Sequence, residues 1–508
     1  MNSADTPSDN FRSIAMFENS EMPFLYPEMA KYLRLKHSAR VVLFTKTIVN
    51  ADYYRNEFPD HFDDVQVAPD PLFYFRKARH KQLDQEVDVV QRARKIEQDL
   101  SCSINSFRVS HRQLGRGFML GGPGHPKTRM QSLFTDTRIL AAYVCCMESW
   151  LKYFEKDRFS LVFDAPVWIE AHLKSQNVPW RKFLTARHKS YNYWMTSYTG
   201  DSVLIASRLL ELAGLHMSHA DIEIPKRQYD VAFNLDSQFR KTNTLRSVVW
   251  RSFLRFARFG YGIMRGYDSA WGYLPTSDSA YLFRRWRDEH TYQKLKTVRI
   301  EDYKNRDYVL FPLQMEPELS LQGFSPEFYS QHTALASIAG ALPAGVRLVV
   351  KEHKYALGRR PAGFFEAIQS LGNVDFADLY EPGFEWSEHA NAVATITSTA
   401  GFEAAIMGVP VISFGTHNVY GPLDHVFVCD HLSKVPAALK TCLSDGFDHA
   451  EAKENGKRFC QAIETACVDM GNYQKKDPAT VDEELLGRVV ENLLETIRVE
   501  QAKVPDHA

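Results

Sequence analysis

Lys351, Glu352, His353 and Lys354 close the run VRLVVKEHK. The apolar part reads as a buried parallel strand, and its end gathers two amines, a carboxylate and an imidazole. Such a set can bind an oxyanion and exchange a proton near neutral pH. The bland alternative is a polar turn after a strand. A second signal lies in AVATITSTAGFEAAIMGVPVISFG, where a β-rich run ends at Thr397. Ser398, Thr399, Ala400 and Gly401 then make a tight turn of small residues, and a helix is expected from about Phe402. Exposed N–H groups at a helix N-terminus, with small hydroxyl residues beside them, suit an anion. Glu403, expected in the first turn, can hold a sugar hydroxyl or simply favour the helix dipole. Alone, this segment could be a capped helix. Two such tips in consecutive strand–helix units face one crevice, so Lys351, His353, Ser398, Thr399, Gly401 and Glu403 become candidate ligands of a phosphate-bearing substrate.

A third piece is FPLQMEPELS, at the end of another expected strand. Glu316 and Glu318 alternate with Met315 and Pro317 and so share a face. A carboxylate in a cleft serves as general acid or base when burial raises its pKa, and a solvated turn is the equal alternative. In the N-terminal half Asp164 ends the strand of SLVFDAP, Arg187 and His188 follow the next strand, and Lys46 ends the strand RVVLFT. These are the acceptor-side candidates, with Asp164 the preferred carboxylate, although strand ends in an α/β fold are polar for structural reasons too.

The elements that would position these residues alternate between short apolar runs and amphipathic helical stretches, the pattern of parallel βαβ units. The chain has 508 residues, long for one core. The expected fold is α/β, with two Rossmann-like domains whose parallel sheets face a central cleft. Residues 1–37 read as a lead-in, 38–235 as an N-terminal acceptor domain and 236–305 as a helical, Arg-rich linking segment. Residues 306–460 read as a C-terminal donor domain, and 461–508 as terminal helices that pack back across the domains.

Sixty-one basic and 62 acidic residues leave no global field for nucleic acid. No stretch reaches the roughly 18–20 apolar residues needed to span a bilayer, and MNSADTPSDNF lacks the basic-then-apolar order of a signal peptide. The seven cysteines are scattered without a CxxC pair, so free thiols in a reducing cytosol are expected. GGPGHPKT (121–128) resembles a phosphate loop only superficially, because Pro126 stands where the glycine belongs. The chain has no D-x-D and no HExxH, so neither a metal nor another cofactor is expected.

Between Arg240 and Arg265 lie seven Lys or Arg and no Asp or Glu. Arg251, Arg255, Arg258 and Arg265 fall on one helical face, with aromatic and aliphatic residues around the rest. Two readings stand: a helix on an anionic membrane surface, or an interdomain helix whose arginines meet acidic groups inside the protein.

In the order YVLFPLQMEPE, VVKEHK and TSTAGFEAAIMGVPVISFG, the chain resembles the bacterial capsule polysaccharide biosynthesis proteins. These are GT-B glycosyltransferases that include the β-Kdo transferases of capsule assembly. The resemblance covers about 308–420 well, and 161–194 more loosely. It implies transfer of a sugar, CMP-Kdo among the candidates, from a nucleotide-sugar donor to a glycan or glycolipid acceptor. It also implies metal-independent chemistry and a cytoplasmic or membrane-peripheral location. His353, Ser398 and Thr399 would meet the donor phosphate, and Glu403 the ribose or the helix start. Lys354 stands where the family usually has proline, which loses a fixed backbone and adds a cation. Similar motifs occur in sugar-nucleotide 2-epimerases of the same fold. An epimerase, or a non-catalytic polysaccharide-assembly protein, is therefore the alternative.

Overall fold

In the computed structural model the described residues are 12–68, 70–77, 86–110, 136–198, 200–215, 239, 242–264, 275–315, 321, 325–328, 330–360, 363–415 and 418–502. They form two compact units. One takes the described residues within 1–107, 135–212 and 462–508, and the other those within 108–134 and 213–461.

The first unit is built on strands β1 (Ser13–Phe17), β2 (Arg40–Thr45), β3 (Asp64–Val67), β4 (Leu161–Phe163), β5 (Trp180–Thr185) and β6 (Tyr191–Met195). With the short strand Val468–Asp469 they make one seven-stranded sheet, in which Val468–Asp469 is followed by β6, β5, β4, β1, β2 and β3. The pairs among β1 to β5 are parallel, while β6 runs antiparallel to β5. All five residues of β1 are buried, as a central parallel strand covered on both faces requires. This corrects the reading of residues 1–37 as a lead-in: SIAMF is the strand about which this sheet is wound. Five apolar or small residues without alternation gave too little pattern to declare themselves. The terminal helix Glu483–Ala502 packs on this unit. Trp194 Nε1 donates to Val489 O at 3.1 Å, and the fully buried Arg181 reaches Thr496 Oγ1 at 2.8 Å and Glu500 at 2.5 Å.

The second unit holds strands β7 (Thr297–Val298), β8 (Tyr308–Pro312), β9 (Arg347–Lys351), β10 (Val374–Ala377), β11 (Ala392–Thr395), β12 (Val411–Ser413) and β13 (Val426–Val428). Their order is β13-β12-β11-β8-β9-β10-β7 and every pair is parallel. Two Rossmann-like α/β units thus match the expected fold class. The chain leaves β8 toward β9 and β10 on one side, then returns to lay β11 to β13 on the other. The carboxyl ends of β8 and β11 therefore flank the point where strand order reverses, the place at which open α/β sheets bind ligands.

The helices Leu245–Met264 and Pro275–Lys294 pack on each other and belong to this second unit. They are not a free-standing link. Tyr292 is fully buried and its hydroxyl donates to Ala377 O at 2.8 Å, and Asp288 accepts from the Gly358 N–H at 3.0 Å.

Candidate functional site

Three strand tips meet at the switch point of the second unit. At the β8 tip, Leu313 N–H donates to Lys351 O at 2.8 Å. The next residue, Gln314, is 5% exposed and bonded on every side. Its N–H reaches Gln331 Oε1 at 2.7 Å, and its carbonyl accepts from Gln331 Nε2 at 3.1 Å and Arg360 Nη2 at 2.8 Å. Its carboxamide lies against the β11 tip. With the oxygen turned toward that tip, it accepts from the N–H groups of Thr397 and Ser398, both at 2.6 Å, and from the Thr397 hydroxyl at 2.8 Å. That orientation is the one the donors require. Two amides at a place suited to an anion are thereby used within the protein.

The helix after β11 starts at Thr399, not Phe402. Ser398 is its N-cap in extended backbone geometry, yet its side chain makes no capping bond. Its hydroxyl oxygen is shielded from water and has no hydrogen-bond partner. A buried polar atom left so costs about 1–3 kcal/mol unless something else satisfies it. Thr399 is exposed at the first helical position, where backbone N–H groups lack intrahelical partners. Gly401 is buried, and its N–H donates to Ser398 O at 3.2 Å. A Cβ there would overlap the Tyr420 hydroxyl and come within 2.6 Å of Thr395 Cγ2. Packing therefore demands glycine at this position of the turn. Glu403, half-buried, falls in the second turn and not the first.

The β9 tip resolves the KEHK run residue by residue. Lys351 is buried, and its Nζ donates to Asp378 O at 2.7 Å and Leu379 O at 2.9 Å. Burial pulls its pKa down to about 8, against the opposing carboxylates of Asp378, Glu381 and Glu352. The expectation that Lys351 binds phosphate is therefore corrected: the amine tethers the loop after β10. Glu352 is 3% exposed and forms a two-point pair with Arg360, at 2.9 and 2.7 Å, while also accepting the His353 N–H at 2.6 Å. It holds the backbone of His353, not its ring.

His353 remains exposed. The packed loop beneath it lowers its pKa through desolvation; Glu352 opposes this, and Arg360, Lys351 and Arg359 add to it. A neutral imidazole at neutral pH follows. Lys354, half-buried, is also pulled down by desolvation. Gly358, at φ +81°, completes the loop: a Cβ would sit 2.7 Å from the backbone nitrogen of Arg285. The helix Pro275–Lys294 thus sets the loop that presents His353. Sequence reasoning missed Arg360 altogether, since its pairing with Glu352 eight residues earlier is made by a loop that leaves no local signal.

Glu316 and Glu318 lie outside the described residues. In the first unit, Asp164 sits at the end of β4 with φ +56°, its side chain 7% exposed. It accepts from Asn19 Nδ2 at 2.9 Å and pairs with Lys182 at 3.2 Å. Asn19 follows β1, so this carboxylate ties together the two strands that flank the switch point of its own sheet. It also raises the pKa of buried Tyr26, after burial itself. His188 is 1% exposed and bonded to Glu464 at 2.8 Å, which corrects its reading as an acceptor contact. Arg187 is exposed at φ +59°. Lys46 is exposed at the end of β2, with its N–H on Glu18 at 3.1 Å. Among the described residues, no group of three His, Cys, Asp or Glu is arranged to hold a metal, and no helix is long and apolar enough to cross a membrane.

No curated protein sequence matches the chain significantly. Among solved structures, a β-Kdo 2,4 transferase of Thermosulfurimonas dismutans shares 15% identity, covering 55% of this chain and 79% of its own, with a TM-score of 0.26. A UDP-GlcNAc 2-epimerase of Neisseria meningitidis shares 10%, covering 96% and 100%, with a TM-score of 0.23. An Anabaena protein solved with UDP and glucose shares 9%, covering 95% and 100%, with a TM-score of 0.29. Likeness this distant carries no residue correspondence. A sequence family described as capsule polysaccharide biosynthesis protein matches residues 271–421. That stretch contains the helix Pro275–Lys294, the three strand tips and the Ser398 turn. Over residues 271–421, the stretch that builds this rim, the chain is similar to the capsule polysaccharide biosynthesis proteins.

Proposed function

We propose that the protein is a glycosyltransferase that draws on a nucleotide-activated sugar and acts in the assembly of a capsular or other surface polysaccharide. The observation that carries this reading is the Ser398 hydroxyl, buried and without a partner beside the first turn of the Thr399–Met407 helix. An oxygen of a donor phosphate satisfies that hydroxyl and the unbonded first-turn amides together. His353, on the β9 tip of the same sheet and separated from the β11 tip by β8, supplies a further N–H to charge developing on the leaving phosphate. Glu352, Arg360 and Gln314 keep these tips in register, so their contribution is position. The acceptor is a glycan or glycolipid, and no metal takes part. Asp164, Glu316 and Glu318 are the candidate carboxylates for activating its hydroxyl. Work at the cytoplasmic face of a membrane fits such an acceptor.

The test is nucleotide binding by calorimetry with CMP, CDP, UDP and GDP, on the wild-type chain and on Ser398→Ala and His353→Ala. One nucleotide should bind, and each variant should weaken it about ten-fold or more, the worth of one hydrogen bond to a charged group. If no nucleotide binds, or if both variants bind as the wild type does, the donor site is not here. Conversion of UDP-GlcNAc to its 2-epimer would replace transfer by isomerisation as the activity of the same site.

A further inference from the structure

The helix Leu245–Met264 is turned the opposite way from what its arginines suggest. Val248 is fully buried and Ser252 is 8% exposed, and these residues mark the side that faces the protein. Arg251 and Arg255 are half-buried and engaged. At 100° per residue they flank that same side. The opposite side presents Phe253 at 61%, Met264 at 79% and Trp250 at 59% exposure, and Val249 at 52%, Phe256 at 47% and Leu245 at 47% continue this apolar surface round one flank. Trp250 and Phe253 stack on each other, with ring centroids 5.7 Å apart, and are still exposed. Soluble proteins seldom leave so continuous an apolar surface open.

Charge identifies the occupant. The helix carries four arginines and no acidic residue. Arg246 falls among these apolar residues and Arg258 beyond their edge, both exposed, and the neighbouring helix Pro275–Lys294 adds exposed Phe283 and Arg287. Its 20 residues give about 30 Å of length. Exposed aromatic and aliphatic side chains with guanidinium groups among and beside them, and no carboxylate, describe a helix that lies in the interface of an anionic bilayer. We propose that Leu245–Met264 is a membrane-docking helix. Its apolar side enters the headgroup boundary, and Arg246 and Arg258 meet lipid phosphates. Arg251 and Arg255 serve the fold. This assignment is independent of the donor site, which lies on other elements.

The experiment is flotation of the full chain with vesicles of phosphatidylcholine alone and with about one third phosphatidylglycerol, with light scattering of the free protein alongside. The wild type should float with the anionic vesicles and much less with the neutral ones. Trp250→Glu/Phe253→Glu should lower the bound fraction about ten-fold or more, and Arg246→Gln/Arg258→Gln should abolish the preference for anionic lipid. Both variants should keep the wild type's circular dichroism and nucleotide binding. Equal flotation of the wild type and Trp250→Glu/Phe253→Glu overturns the proposal. So does an absence of flotation together with a wild-type dimer that this double variant dissociates, because the helix then joins two copies of the chain.

Discussion

Replacing Lys351 with Met removes a buried amine whose pKa has fallen from 10.5 to about 8. Burial is the main cause, and the carboxylates of Asp378, Glu381 and Glu352 only partly offset it. Below pH 8 the amine is protonated in both folded and unfolded chains and contributes no pH dependence. Between pH 8 and 10.5 the folded chain has lost the proton that the unfolded chain keeps, so stability rises with pH. Above 10.5 both are neutral. At 1.36 kcal/mol per pKa unit, the wild type should gain about 2.5 kcal/mol over Lys351→Met between pH 7 and pH 10. The measurement is urea unfolding of both proteins across that range, read as the difference between them. Subtraction removes the opposite trend of groups such as Cys442, whose thiol burial pushes up to about 12. A difference that stays flat from pH 7 to 10 would refute the reasoning: Lys351 would then be hydrated, charged and available to a phosphate after all.

Gly401→Ala should cost about 1–3 kcal/mol through overlap with Tyr420 and Thr395, read as a lower Tm with nucleotide affinity unchanged. Lost affinity at full stability would instead make Gly401 a ligand-approach residue. Glu352→Leu leaves Arg360 charged and buried, and should cost about 3–5 kcal/mol. Glu352→Leu/Arg360→Leu should recover much of that loss in a double-mutant cycle of unfolding energies, and strict additivity would mean the two residues do not act as a pair.

The chemistry of the β9 tip shows why residue type alone misassigns roles. In the sequence, Lys351 and His353 are equivalent candidates and Glu352 has no assigned role, because strand alternation places neighbours on opposite faces without saying which face is covered. Only the packing of the loop after β10 turns Lys351 inward to two carbonyls, and only Arg360 draws Glu352 away from solvent. Arg360 was invisible because its partner is set by the fold of a loop tied down by Asp288. The order of β-rich runs and helices, by contrast, was legible from periodicity across 308–420, where strands buried on both faces read as unbroken apolar runs. β1 escaped for want of length.

The sequence by itself determined that this chain is a two-unit α/β protein whose second unit carries small hydroxyl residues at a helix start after a β-strand. These are local properties, written in spacing and side-chain size. The tertiary structure alone decided that β8 and β11 flank the reversal of strand order. It alone left the Ser398 hydroxyl without a partner while Gln314 took the adjacent amides. It alone turned the apolar side of Leu245–Met264 outward and two of its arginines inward. The physical reason is common to all three. Which surface of an element is buried depends on what packs against it, and those partners lie tens to hundreds of residues away in the chain.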